Sequence, residues 1–206
     1  MNFLEEKILA DGAIKPGDIL KVDNFLNHQI DVDISLQIAC ELKRRFKGVD
    51  VTKILTIEAS GIAIATLMGD LYGVPVVFAK KGETANSTDE KYVSQAYSFT
   101  HKKMNKVYIS RPYLLEGDKV LIVDDFLANG QAAHALIDLI QQAHAEVVGI
   151  GIAIEKGQQK GGSELRSEGY RLESVAIIDA MDSERQIIRF RGQDEHAMGH
   201  GRIKTE

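Results

Sequence analysis

The chain contains a single cysteine, Cys40. An intramolecular disulfide is therefore excluded, and a reducing cytoplasmic setting is expected. Cys40 falls in the apolar-periodic run 34–42, which reads it as a small core residue rather than a nucleophile. No apolar run approaches the roughly 20 residues that cross a bilayer. Glu5, Glu6 and Lys7 also interrupt any secretory apolar stretch, so neither a membrane nor an export route is expected. Positive charge is in deficit: 25 Lys and Arg stand against 30 Asp and Glu, a formal net charge of −5. That balance argues against a general nucleic-acid partner. His196 and His200 stand apart from other donors at ligand spacing, so no protein-held metal is expected. The Gly-x-Gly-x-x-Gly signature of dinucleotide binding is missing as well.

What is present is an ordinary globular composition, 44% apolar and 27% charged over 206 residues. A chain of this length buries roughly 70% of its unfolded surface, enough for one stable domain. Helical apolar spacing covers residues 1–10 and 34–46, the second run closing on Lys43, Arg44 and Arg45. Residues 19–22 are short and extended. From residue 53 the pattern alternates: strand 53–57, helix 61–71, strand 75–79. A polar interruption at 80–91 and two strands at 95–100 and 106–110, which read as a hairpin, follow. Strand 120–123, helix 131–143, strand 146–154, helix 163–168 and strand 171–178 complete the run. Such alternation indicates an α/β fold with a mostly parallel sheet. From residue 192 onward the sequence is weakly patterned, and a flexible tail over 192–206 is expected.

Most chemistry concentrates in one stretch. Val120–Val123 form an apolar strand, Asp124 and Asp125 follow directly, and the small-residue loop Ala128-Asn129-Gly130 opens a helix at Gln131. Adjacent carboxylates at a strand's C-terminal end suit vicinal hydroxyls, and a helix start offers backbone N–H groups to a phosphate. The same pattern also fits an acidic pair that merely caps a helix. A second turn, Glu58-Ala59-Ser60-Gly61, lies between a strand and a helix at the same edge; it reads either as another anion site or as a turn capped by Ser60. Lys80 and Lys81 begin the polar interruption, either as solvated charges or as ligands for an anion. Lys156 ends a strand, where it either reaches solvent or donates to a carbonyl oxygen. Asn27 sits where a turn residue is expected.

The Asp124–Ala132 segment resembles the phosphoribosyl pyrophosphate (PRPP) motif of the type I phosphoribosyltransferases. Most of that family carry Thr or Ser on both sides of the glycine; here Asn129 precedes it and Ala132 and Ala133 follow. This hydroxyl-poor variant, together with residues 20–31, resembles the bacterial family members that use xanthine. The resemblance covers nearly the whole chain. It implies one phosphoribosyltransferase domain over 1–191, with a hood from about 1–35 and 156–191. Asp124 and Asp125 would be catalytic, and Ala128, Asn129, Gly130, Gln131 and Ala132 would hold the 5′-phosphate of PRPP. Glu58, Ala59, Ser60, Gly61 and Lys81 would meet its pyrophosphate, while Leu20, Asn27 and Lys156 would contact xanthine. It further implies Mg²⁺ brought with PRPP, a homodimer, and a purine-salvage reaction yielding xanthosine 5′-monophosphate. The alternatives are a relative preferring guanine or hypoxanthine and a PRPP-sensing transcription regulator of the same fold. The regulator normally adds a winged-helix domain, for which little room precedes the strand at Lys53.

Overall fold

The computed structural model describes residues 1–17, 19–82, 90–98, 103–192 and 200–202. Its frame is built by strands too apolar to face water. All five residues of β3 (Lys53–Ile57) are buried, as are most of β7 (Lys119–Leu127) and β8 (Glu146–Lys156). With β4 (Val76–Lys81) and β9 (Leu172–Asp182) they form a parallel core in the order β9-β8-β7-β3-β4. Strands buried on both faces carry such continuous apolar runs.

Antiparallel additions finish both edges. The hairpin β5 (Lys91–Ser98) and β6 (Lys103–Ser110) joins beside β4; β10 (Ile187–Phe190) and β11 (His200–Arg202) extend the sheet beyond β9. Of the loose tail expected over 192–206, residues 193–199 and 203–206 lie outside the described residues, while 200–202 pair in register with β10. A three-residue strand gives little periodicity to read. The N-terminal segment supplies a separate two-stranded hairpin, β1 (Ala13–Lys15) and β2 (Ile19–Lys21), and a single π-helical turn at Asp23–Asn27.

Helices cover the two faces. α1 (Phe3–Asp11), α2 (Val32–Arg45) and α3 (Gly61–Tyr72) pack on one side, where Leu4, Ile38, Leu42, Ile64 and Met68 meet Ile54, Leu121 and Val123. α4 (Gln131–Gln142) packs on the other, its Leu136, Leu139 and Ile140 meeting Leu55, Val120, Ile122 and Ile152; α5 (Gly161–Ser167) adds Leu165. Neighbours in one strand, such as Leu121 and Ile122, therefore serve opposite cores, as the two-residue period of a strand requires. No described helix is long and apolar enough to cross a membrane.

Local signals explain the helix ends. The Asp31 side chain accepts the Ile34 N–H at 3.2 Å and starts α2, which ends on Lys43, Arg44 and Arg45, cations favoured at a C-terminus. Gly73, at φ +68°, closes α3 in the left-handed conformation. Cys40 is exposed, contrary to its reading as a core residue. α2 buries Ser35, Ile38, Ala39 and Leu42, and one step of about 100° past Ala39 turns Cys40 outward.

Candidate active site

The C-terminal ends of the parallel strands open into a cleft of about 410 Å³ between the β7–α4 turn and the end of β8. Ligands collect at this edge of open α/β sheets. Asp124, residues 128–132 and Lys156 all line it.

The acidic pair is built into the core. Asp124 and Asp125 are 8% and 7% exposed, and the Asp124 carboxylate accepts the Asp125 N–H at 3.0 Å. Neither caps α4, which begins on Gly130 without any side-chain hydrogen bond, so the capping reading fails. Burial pushes the Asp124 carboxyl well above the ordinary carboxylate range, and the neighbouring Asp125 charge adds to the shift; the Lys81 ammonium works against both.

The β7–α4 turn presents backbone. Gly130 adopts φ +78°, a conformation that costs a side chain energy but costs glycine none, and its carbonyl receives the His134 N–H at 2.9 Å. The Nδ1 atom of His134 also lies 2.9 Å from that carbonyl oxygen, and its Nε2 lies 3.1 Å from Glu168. With no side-chain cap, the first-turn N–H groups of α4 are left for a ligand. The turn is braced from behind: Gly161 N–H donates to the Ala128 carbonyl at 3.1 Å, and a Cβ on Gly161 would fall 2.5 Å from Gly130 N.

The second turn reaches the first at one point. A Cβ on Gly61 would stand 2.6 Å from the Asp124 carboxylate, so glycine is what lets α3 start beside it. Ser60 makes no capping bond to α3. The Glu58 carboxylate instead accepts the Lys81 N–H at 2.5 Å, tying this turn to the end of β4. Most of the 80–91 interruption, residues 83–89, lies outside the described residues.

Lys156 is half-buried on the far wall, its Nζ 5.8 Å from the centre of the Phe126 ring, and burial lowers its pKa. The preceding residue fixes this wall. Glu155 is 1% exposed; burial opposes its ionisation, but two hydrogen bonds from Arg166, at 2.8 and 2.7 Å, and one from Ser174 outweigh that and hold its pKa below the usual range. Phe126 and Gln159 also line the cleft without having been singled out in the sequence. Phe126 sits inside the recognised motif, and Gln159 three residues beyond Lys156, so proximity was the available signal.

The structure does not bring Leu20 and Asn27 to this cleft. Leu20 is buried in the core cluster that holds Leu4, Ile8 and Phe25, and Asn27 is exposed at the end of the π-helical turn. Asp124 lines the opening, whereas Asp125 is not among the residues that line it. Among the described residues no group of three or more histidine, cysteine or acidic side chains is placed to hold a metal.

The family model described as a phosphoribosyl transferase domain matches residues 21–184. The chain belongs to the phosphoribosyltransferase family. Its relatives include xanthine phosphoribosyltransferase 2 of Clostridium botulinum strain Hall, 52% identical over 186 residues, which are 90% of this chain and 98% of that protein. The xanthine phosphoribosyltransferase of Bifidobacterium adolescentis is 52% identical over 192 residues, 93% of this chain and 100% of that one. Among solved structures, adenine phosphoribosyltransferase from Thermoanaerobacter pseudethanolicus superposes with a TM-score of 0.67 at 24% identity, covering 84% of this chain and 98% of its own. That from Leishmania donovani gives 0.69 at 16%, covering 99% and 89%. At such identities the superpositions establish the fold alone: the type I phosphoribosyltransferase arrangement of a mostly parallel sheet flanked by helices. Members of this family are glycosyltransferases.

Proposed function

We propose that the protein is a xanthine phosphoribosyltransferase, transferring the 5-phosphoribosyl group of PRPP to N9 of xanthine to give xanthosine 5′-monophosphate and pyrophosphate. The observation that carries this reading is the cleft joining the buried Asp124 of an acidic pair, an uncapped helix start and a half-buried lysine, in a chain about half identical to enzymes of that name.

Each part has a role that its chemistry supports. The first-turn N–H groups over Ala128–Ala132 hold the 5′-phosphate, with Asn129 and Gln131 beside them. Asp124 and Asp125 accept hydrogen bonds from the ribose hydroxyls and keep negative field near the anomeric carbon. There positive charge develops as the bond to pyrophosphate breaks and the bond to N9 forms. The Glu58–Gly61 turn and Lys81 face the departing pyrophosphate. Lys156 donates to the O6 carbonyl of the base, an atom adenine replaces with a donor amino group. Leu20 and Asn27 complete the base site when the N-terminal hood lies over it, the Asn27 amide meeting the 2-oxo group that hypoxanthine lacks.

Mg²⁺ fits as a companion of PRPP. The carboxylate that lines the cleft is Asp124, an oxygen donor suited to an ion that keeps most of its shell from phosphates and water. When bound, it offsets the charge of the leaving pyrophosphate. A cytoplasmic homodimer serving purine salvage, with neither nucleic acid nor membrane as partner, completes the reading.

The test is a steady-state assay with PRPP and Mg²⁺ against xanthine, guanine, hypoxanthine and adenine, scored by nucleotide formed. A kcat/KM for xanthine at least about tenfold above the others is expected. Preference for guanine or hypoxanthine retains the chemistry and rejects xanthine; no nucleotide from any base rejects the enzyme.

A further inference from the structure

The turn that leaves β8 carries two cleft-lining side chains. Gln159 N–H donates to the Lys156 carbonyl at 2.9 Å, which folds residues 156–159 tightly and sets both side chains on the same wall. Two residues later Gly161 is bonded to the phosphate-binding turn, so this segment is clamped at both ends. Lys156 has the Phe126 ring beside it. Gln159 is different: its side-chain oxygen is buried and accepts no hydrogen bond among the described residues. A buried carbonyl oxygen without a donor is costly, and native proteins tolerate it mainly where something else supplies the donor.

The chemistry of the missing donor narrows what that is. The phosphates of PRPP offer only acceptors, so they do not satisfy an oxygen. The ribose hydroxyls are donors, but Asp124 and Asp125 are the acceptors for them. A 6-oxopurine offers ring N–H groups, one of which, N1–H, stands next to the O6 carbonyl that suits Lys156. We propose that Gln159 is a specificity residue, its side-chain oxygen accepting a hydrogen bond from N1–H of a 6-oxopurine. This rests on the base-transfer reading above. Lys156 and Gln159 then read a two-atom pattern, acceptor at O6 and donor at N1. Adenine reverses both atoms, presenting an amino donor to the ammonium and an unprotonated ring nitrogen to the oxygen.

The decisive comparison is Gln159→Met, close in volume but without an acceptor, assayed with xanthine, hypoxanthine and adenine at saturating PRPP and Mg²⁺, and then with PRPP varied. KM for xanthine and hypoxanthine should rise about tenfold, the value of one buried hydrogen bond, while KM for PRPP stays within about twofold and adenine is used no worse. Gln159→Asn keeps the amide but withdraws it by one methylene; it is the milder variant and should move the same constants in the same direction. Wild-type protein with 1-methylxanthine needs no substitution at all: the N1 donor is gone, and turnover should fall about tenfold or more. An unchanged KM for xanthine in both variants, or full use of 1-methylxanthine by the wild type, overturns the assignment while leaving the enzyme intact. A rise confined to KM for PRPP also overturns it, since the amide would then have turned its nitrogen toward a phosphate. Wild-type protein that makes no nucleotide removes the base-transfer reading itself.

Discussion

The β7–α4 turn and the 20–27 segment have both been linked to substrate, but they are built in opposite ways. Every group that the β7–α4 turn offers lies within nine residues, Asp124 to Ala132, and most are backbone. A buried strand fixes the carboxyls, Gly130 in the left-handed conformation fixes the turn, and Gly61 and Gly161 close against it from two sides. The 20–27 segment offers side chains instead, and it splits them: Leu20 goes into the core and Asn27 to the surface. A backbone cradle is complete as soon as its strand and helix pack. A side-chain pocket made across the chain is complete only when the hood and the base meet.

The largest effects should come from the cradle's carboxyls. Asp125→Asn and Asp124→Asn are each expected to lower kcat about 10²-fold or more, the scale of removing one preorganised polar group from a transition state. The fold should survive both. Asp124→Asn should also become the more stable of the two proteins as pH rises. Burial holds the Asp124 carboxyl above its ordinary 3.8, so between that value and the native one the folded chain holds more protons than the unfolded chain. Stability therefore falls through that window as pH increases, a loss asparagine does not suffer. Melting curves of variant and wild type should coincide near or below pH 4 and separate above it, by about 2–4 °C for each kcal/mol relieved. Curves that stay parallel across pH would mean Asp124 is not held protonated, and wild-type turnover in either variant would remove that residue from the mechanism.

The brace behind the turn comes next. Gly161→Ala sets a methyl group 2.5 Å from Gly130 N, against backbone that cannot swing aside. Such overpacking costs about 1–3 kcal/mol, and here the shift is delivered to the β7–α4 turn. KM for PRPP should rise about tenfold, with KM for the purine little changed. Equal rises in both would show that the whole cleft has moved rather than the cradle alone.

The same contrast explains what could be read from the sequence. Val120–Val123, the acidic pair and the Gly130 turn carry strong local signals, and the structure assembles them as their residue types require. The alternation of strands and helices from Lys53 onward gave the parallel core, because an apolar run buried on both faces has little choice of partner. Short edge elements were less legible. β1, β10 and β11 have three or four residues each, too few to show a period, and depend on neighbours far along the chain. Cys40 is exposed within an apolar-periodic run because such a run fixes a helix's existence better than its rotation. Asp124, buried beside Gly61, shows a proximity between the two turns that no spacing in the sequence encodes.

The smallest expected effect tests the less determined region. Asn27 is exposed, so Asn27→Ala should leave the melting temperature nearly unchanged, as surface substitutions stay within about 0.5 kcal/mol. If the hood brings its amide to the 2-oxo group, the preference for xanthine over hypoxanthine should drop about tenfold, with PRPP unaffected. Leu20→Ala is the internal control, expected to cost about 2–5 kcal/mol because it empties a core position whatever the base does. The pair separates packing from recognition: a lost preference at Asn27 with intact folding places this segment at the base. An unchanged preference would confine base recognition to the β8 wall, where Lys156 and Gln159 already face the cleft.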